Sequence, residues 1–451
     1  FTGIGGSGMS GIAEILLNIG FRVSGSDLVF GAVCERLQKL GAVIAIGHSA
    51  GNLPESTSLL VYSSAVSQDN PELEEARRRE LPLVPRAEVL AELMRLKFGI
   101  AVAGSHGKTT TTSMIAAILE AGALDPTVVI GGQVQALGTG GKLGRGDFLV
   151  AESDESDRSF LRLKPTIAIV TNIDSEHLTA YESLKDLEES FERFVKAVPF
   201  YGLAVLCIDD PRVRDLAASY ALRKVTYGFS PGAMIQAASV FQKGARTSYD
   251  VLLDGEKITH IDLPMPGKHL ALNSLGAIAV GLELDIPLST ITRALNGFAG
   301  VGRRLEVLGV ARGVTVVNDY GHHPTEVKAT IEALRAGWCT QGGRLHVVFQ
   351  PHRYTRTRDC FADYITAFVG CDNLVMTAIY AASEAPIEGI SGELLCEAVS
   401  HPHKRYVERP EDVLPGILKD VESGDVLLCL GAGSIGALAA KVLGALKSDE
   451  Q

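Results

Sequence analysis

Residues 98–122 read FGIAVAGSHGKTTTTSMIAAILEAG. A short apolar run meets Gly104 and Gly107, then Lys108-Thr109, then a stretch that reads as a helix. Strand, glycine turn, Lys-Thr and helix is the order of a phosphate-binding loop. The spacing differs from the usual G-x-x-x-x-G-K-[ST], because Val102 stands where the first glycine belongs and Gly104 comes two residues later. An apolar strand feeding straight into a helix restricts the fold strongly. It belongs in a mostly parallel sheet with helices packed on its faces.

The rest of the chain repeats this grammar. DFLVAES, TIAIVTNID and GLAVLCID alternate with helical stretches after the loop, and GVTVVNDY, RLHVVFQP, NLVMTAIY and DVLLCLGAG do so nearer the C-terminus. VSGSD (residues 23–27) and SLLVYSSAV (58–66) read as strands before it. PELEEARRRELP (71–82) reads as a solvated helix, 224–262 as short strands and turns, and PGKHLALNSLGAIAVGLEL as one long helix. The chain has 451 residues, too many for one core. The expected fold class is therefore α/β, with three consecutive α/β domains and mostly parallel sheets. These are a Rossmann-like domain at 1–97, a P-loop-type ATPase domain at 98–302 and a Rossmann-like domain at 303–451.

Composition excludes several function classes. The formal net charge of −11 disfavours nucleic acid and anionic membranes as partners. No apolar run approaches the ~20 residues of a bilayer span, and no secretory pattern is seen, so membrane insertion is not expected and a cytoplasmic location is. Seven cysteines, none in a C-x-x-C pair, read as reduced thiols rather than a zinc site or disulfide framework.

The chemistry sits in loops that follow apolar strands. Gly104, Ser105, His106, Gly107, Lys108, Thr109 and Thr110 form the expected phosphate loop, with Lys108 facing β/γ-phosphates and Thr109 offering a hydroxyl to Mg²⁺. AESDESDRSF crowds four acids after one strand, and TNIDSEH follows another. Strand carboxyl ends converge on one edge in such sheets, so Glu152 and His177 join Thr109 as candidate metal ligands. In the last third, Arg353 and Arg356 are three apart and would share a helix face suited to an anionic group, with His322, His323 and His352 nearby. Gly3, Gly5 and Gly8 precede Asp27 as in a dinucleotide fingerprint and fit a diphosphate, whereas Gly431, Gly433 and Gly436 read as a tight strand-to-helix turn.

GIGGSGMSGIAE, GSHGKTTTT, AESDESD, NDYGHHPTE, QPHRYTRT and YAASEAPIEG span essentially the whole chain and resemble the motifs of the bacterial Mur ligases. The resemblance implies ATP-dependent attachment of L-alanine to UDP-N-acetylmuramate through an acyl phosphate. UDP-N-acetylmuramate and L-alanine are then the partners, ATP and Mg²⁺ (or Mn²⁺ in its place) the cofactors, and a monomer or homodimer the state. It implies a UDP-sugar site at Gly3, Gly5, Gly6, Ser7, Gly8, Met9, Asp27, Ser63 and Ser64, and adenine near His269 and Asn273. Arg304 would approach the phosphates, and Lys108, Asp319, His323, Arg353 and Arg356 would serve the chemistry, Asp319 and His323 as candidates for activating the amine. Asn318 replaces one of two expected aspartates, leaving any charge role to Asp319, and Glu192 stands roughly where relatives carry a carbamylated lysine. Three other functions compete: a recycling ligase that attaches a preformed tripeptide to the same sugar, a dinucleotide-dependent oxidoreductase using Gly3–Gly8 and Asp27, and a non-catalytic nucleotide-binding regulator. The oxidoreductase leaves GKTTTT, AESDESD and the arginine pair unexplained, and the regulator needs no anion clamp.

Overall fold

The computed structural model describes residues 1–63, 65–134, 139–175, 180–339, 342–382 and 384–448. The chain divides into two compact units. One comprises Phe1–Ala238, Asp250–Ile261 and Leu272–Val301, the other Ser239–Tyr249, Asp262–Ala271 and Gly302–Gln451.

The first unit opens with a small parallel layer. β1 (Ser24–Asp27) pairs with β2 (Val43–Ile46), and β3 (Leu60–Tyr62) pairs with β4 (Leu83–Pro85). Thr2 bridges both Ser26 and Tyr62 in the parallel sense and so joins the two pairs. The helix Pro71–Arg78 is capped by the Asn70 side chain on the Glu72 N–H and has proline in its first turn. It departs from the solvated helix expected of its composition. Glu72 is 1% exposed and accepts hydrogen bonds from Thr2 Oγ1 (2.7 Å), Ser26 Oγ (2.7 Å) and Asn52 Nδ2 (2.7 Å). Burial alone would push its carboxyl up; the donors around it outweigh burial and hold its pKa below the ordinary value.

The large sheet contains β5 (Phe98–Ala103), β6 (Thr127–Val134), β7 (Thr139–Lys142), β8 (Phe148–Glu152), β9 (Ile167–Val170), β10 (Leu203–Cys207) and β11 (Lys224–Gly228). It continues through β12 (Ile235–Lys243), β13 (Arg246–Leu253) and β14 (Glu256–Leu263), eight or nine residues each and longer than the short strands expected. Among the described residues the order is β14-β13-β12-β11-β10-β9-β5-β8-β6-β7. β5 pairs in parallel with β8 and β9, β10 with β9 and β11, and β6 with β8, while β7 is antiparallel to β6. β9 and β10 are buried along their whole length, which explains why they read as unbroken apolar runs rather than alternating ones. From β5 the chain runs through the helix Lys108–Ala121 to β6 on the β8 side, while β9 and β10 lie on the other side. The strand order thus turns at β5, and its carboxyl end is the natural place for a ligand crevice.

The second unit holds β15 (Glu306–Ala311), β16 (Val314–Asp319), β17 (Leu345–Phe349), β18 (Asn373–Met376), β19 (Lys404–Tyr406) and β20 (Val426–Leu430), in the order β15-β16-β20-β17-β18-β19. β15 is antiparallel to β16, and the pairs β16–β20, β20–β17, β17–β18 and β18–β19 are parallel. The α/β class with mostly parallel sheets is therefore the observed one. β20 lies between β16 and β17, so the loops after these three strands meet at one edge. Among the described residues no helix is long and apolar enough to cross a membrane.

Candidate active site

β5 ends at Ala103 and the next helix begins at Lys108, so Gly104–Gly107 form the entire turn. Gly104 has φ +136°, and a Cβ there would lie 2.0 Å from Thr171 Oγ1. Gly107 has φ +81°, and a Cβ there would lie 2.5 Å from Asn273 Oδ1. Both positions need glycine for conformation and for space, and the second contact sets Asn273 against the loop. The first amides of the helix have no intrahelical acceptor and, with the helix dipole, favour an anion.

Lys108 folds back over this turn. Its Nζ donates to the carbonyls of Gly104 (2.6 Å) and Ser105 (3.1 Å) and lies 2.9 and 2.8 Å from the two carboxylate oxygens of Glu155. Burial disfavours the ammonium, but Glu155, Asp154 and Glu152 reverse that and hold its pKa above the ordinary value. Glu155 is 1% exposed; burial pushes its carboxyl up to about 7 against the pull of Lys108. Thr109 Oγ1 donates to both carboxylate oxygens of Glu152, at 3.1 and 3.0 Å. A hydroxyl and a carboxylate this close are the oxygen donors a hard divalent cation takes. His177 lies outside the described residues. Glu192, which stands roughly where relatives carry a carbamylated lysine, pairs with Lys196 at 2.6 Å, one turn along its own helix. The side chain of His106 turns to Asp174, Nε2 to Oδ2 at 3.0 Å.

At the N-terminal glycine loop the Gly5 N–H donates to Asp27 Oδ2 at 2.8 Å, so the acid at the end of β1 holds the loop itself. The following helix starts at Ser7, and Met9 is buried in its first turn. A Cβ on Gly8 would lie 2.6 Å from a guanidinium nitrogen of Arg86, which places a cation against the start of this helix. Ser63 Oγ accepts the Ala65 N–H at 3.3 Å, and Ser64 lies outside the described residues.

In the second unit, the Asp319 carboxylate is buried and accepts the backbone N–H groups of Leu305 (2.6 Å) and Gly321 (2.7 Å). Burial raises its pKa against the opposing pull of Arg304 and these amides. Its geometry is that of an anchor between two backbone segments. His323 caps the helix Pro324–Trp338 through Nδ1, and Glu326 returns a bond to the His323 N–H in a capping box. Arg304 lies over the Tyr320 ring at 5.0 Å and 3.7 Å from Glu326. His269, with Glu326 and Arg304 near it, is pushed down to about 4, mainly by burial.

Arg353 and Arg356 do not share a helix face as their spacing suggests. Arg353 is the residue before the helix Tyr354–Asp359, with φ +69° and ψ 139°, whereas Arg356 is inside it. Non-glycine residues rarely occupy that backbone region, and such strain concentrates at functional sites. It is held in place by the Arg353 N–H, which donates to the Tyr380 carbonyl at 2.8 Å. Arg356 reaches His352 Nδ1 at 3.1 Å, and the His352 ring stacks on Tyr380, 5.7 Å between centroids. The Gly431–Gly436 loop is filled by protein groups. Arg303 donates to the carbonyls of Gly431 and Gly433, and Gln350 Oε1 accepts the Ile435 N–H.

Three family profiles match in succession: "Mur ligase family, catalytic domain" at 1–98, "Mur ligase middle domain" at 102–281, and "Mur ligase, glutamate ligase domain" at 303–433. The chain is 52% identical over 439 residues to the UDP-N-acetylmuramate–L-alanine ligase of Pelobacter propionicus, covering 96% of this chain and 95% of that one. The chain belongs to the Mur ligase family. The corresponding enzyme of Geotalea daltonii is 50% identical over 438 residues, again 96% of this chain and 95% of that one. Among solved structures, a UDP-N-acetylmuramate-alanine ligase from Thermotoga maritima superposes with a TM-score of 0.84 at 28% identity, covering 100% of this chain and 99% of that one. A murein peptide ligase from Psychrobacter arcticus shares the fold, with a TM-score of 0.71 at 22% identity over 99% of this chain and 98% of that one.

Within this Mur ligase, the structure gathers Gly104–Thr110, Glu152 and Asn273 around one turn. In the second unit it brings His352, Arg356 and Tyr380 together beside Arg353. Sequence reading missed Glu155, Thr171, Asn172, Asp174, Arg86, Arg303 and Gln350. Six of them follow strands, and Arg303 instead precedes β15. Position past a strand end was the available signal for those six; residue type alone did not separate them from solvated neighbours.

Proposed function

We infer that this Mur ligase joins L-alanine to the lactyl carboxylate of UDP-N-acetylmuramate, converting ATP to ADP and phosphate, in peptidoglycan precursor synthesis. The observation that carries this reading is Lys108, held as an ammonium on a glycine turn at the start of a helix and beside the Thr109–Glu152 oxygen pair. The carboxylate and the γ-phosphate are both anions, so their encounter needs fixed positive charge in a dry setting. Lys108 and the helix amides provide it. A carboxylate oxygen attacks the γ-phosphorus and ADP leaves. The uncharged amine of L-alanine then attacks the acyl carbon, and phosphate departs with the oxygen that came from the carboxylate and the proton the amine gives up.

Mg²⁺ suits the Thr109 and Glu152 oxygens and would add Lewis-acid charge at the phosphates. Gly3–Met9, Asp27 and Ser63 take the UDP-sugar in this reading, and His269 and Asn273 the adenine. Arg304 serves the phosphates. Arg353 and Arg356 bind the carboxylate of L-alanine, while Asp319 and His323 act by holding their loops in shape. Residues 1–97, 98–302 and 303–451 are the functional domains, and the enzyme works in the cytoplasm as a monomer or homodimer.

Phosphate release, measured with each substrate omitted in turn, tests the reading. It should require UDP-N-acetylmuramate, L-alanine, ATP and Mg²⁺ together. Equal release with a preformed tripeptide in place of L-alanine would instead favour the recycling ligase.

A further inference from the structure

The segment after β9, Thr171–Asp174, takes no part in the reaction as described, yet it holds the phosphate loop. Asn172 Oδ1 accepts the His106 N–H at 2.8 Å, and Asn172 Nδ2 donates to the His106 carbonyl at 3.0 Å. One side-chain amide therefore pairs with residue 106 much as a neighbouring strand would. Thr171 Oγ1 donates to the same carbonyl at 2.6 Å. The Ser105 N–H donates to the Asn172 carbonyl at 3.1 Å, and Ser105 Oγ accepts the Asp174 N–H at 2.8 Å. Ser105 and His106, the two residues between the glycines, are thus tied to 171–174. Gly104 is what allows the approach, since any Cβ there would meet Thr171 Oγ1.

A phosphate cradle works by the direction of its amides, and small misplacements of reacting groups are costly. We propose that Asn172, supported by Thr171, is a positioning residue that fixes the 105–107 peptides so that the Gly107 amide and the first helix amides aim at the transferring phosphoryl group. The inference rests on the reading that this loop holds ATP. Asn172 touches no reacting atom in this account and acts through His106. It also makes the segment after β9 part of the nucleotide machinery and not only a route to His177.

The test is steady-state phosphate release by the full chain with ATP varied, alongside calorimetric binding of a non-hydrolysable ATP analogue and of UDP-N-acetylmuramate. Asn172→Ala should lower kcat/KM for ATP on the order of 10- to 100-fold, mostly in kcat, and leave UDP-sugar affinity within about twofold. Thr171→Val should lose more than Thr171→Ser, which keeps the hydroxyl, and this pair carries the test if Asn172→Ala does not fold. Wild-type kcat and KM for ATP in Asn172→Ala would overturn the proposal. So would a loss confined to melting temperature and active fraction. Failure of the wild-type protein to bind the ATP analogue would sink the ATP reading instead, a separate result.

Discussion

Lys108→Met separates the two jobs that the structure gives this lysine. In the wild type its ammonium sits 2.8–2.9 Å from a carboxylate that is 1% exposed. Without Lys108, Glu155 is a buried acid lacking its cation, and breaking such a pair from one side costs roughly 3–5 kcal/mol. Glu155 can escape that cost by taking a proton. Its folded pKa, about 7, already stands above the ordinary 4.5, an interval equivalent to roughly 3 kcal/mol. A carboxyl raised in the folded state favours the fold at low pH, and in the wild type that contribution is lost as pH rises from 4.5 through 7. Without Lys108 the carboxyl is raised further, so the variant goes on losing stability above pH 7 where the wild type levels off. Relative to wild type it should be about 1 kcal/mol less stable at pH 8 than at pH 5. Urea unfolding at the two pH values measures this, and Glu155→Gln in the Lys108→Met background should recover most of the loss at pH 8. Turnover should be abolished at both pH values while UDP-sugar binding survives. A pH-independent stability change, or no recovery in the double variant, would refute the reasoning.

Three further outcomes are expected. Gly104→Ala should cost about 2–5 kcal/mol, from a backbone conformation closed to alanine and a Cβ driven into Thr171 Oγ1; thermal unfolding and phosphate release should both report it. Asp319→Asn turns one acceptor facing a backbone N–H into a donor and should cost about 1–3 kcal/mol in urea unfolding. His352 is pushed down to about 3, chiefly by burial and then by His322 and nearby arginines, and His269 to about 4. Both favour the neutral ring in the fold, so their contribution is complete above the ordinary 6.5 and lost as pH falls through 4 to 3; His352→Gln should flatten that acid slope in urea titrations.

The sheets were legible because buried parallel strands need unbroken apolar runs, as IAIV in β9 and VLLCL in β20 show. The edge strand β19, KRY, is only partly buried and carries no such signal. The phosphate loop was readable because glycine spacing and Lys-Thr are local features. Its supports were not: Asn172 reaches residue 106 across 66 positions, and Glu155 reaches Lys108 across 47. Glu72 shows the same limit from the other side. Its helix is highly charged, yet packing beside Thr2 and Ser26 makes this one acid a buried hub. The spacing of Arg353 and Arg356 predicted a shared face, but the helix begins one residue too late for it.

The central claim is that the sugar carboxylate is activated as an acyl phosphate before L-alanine attacks. It is tested most directly with UDP-N-acetylmuramate carrying ¹⁸O in the lactyl carboxylate, followed by mass analysis of the inorganic phosphate released in the presence of ATP, Mg²⁺ and L-alanine. One labelled oxygen per phosphate, from doubly labelled carboxylate, is the predicted result. Unlabelled phosphate released in step with amide formation would contradict the account.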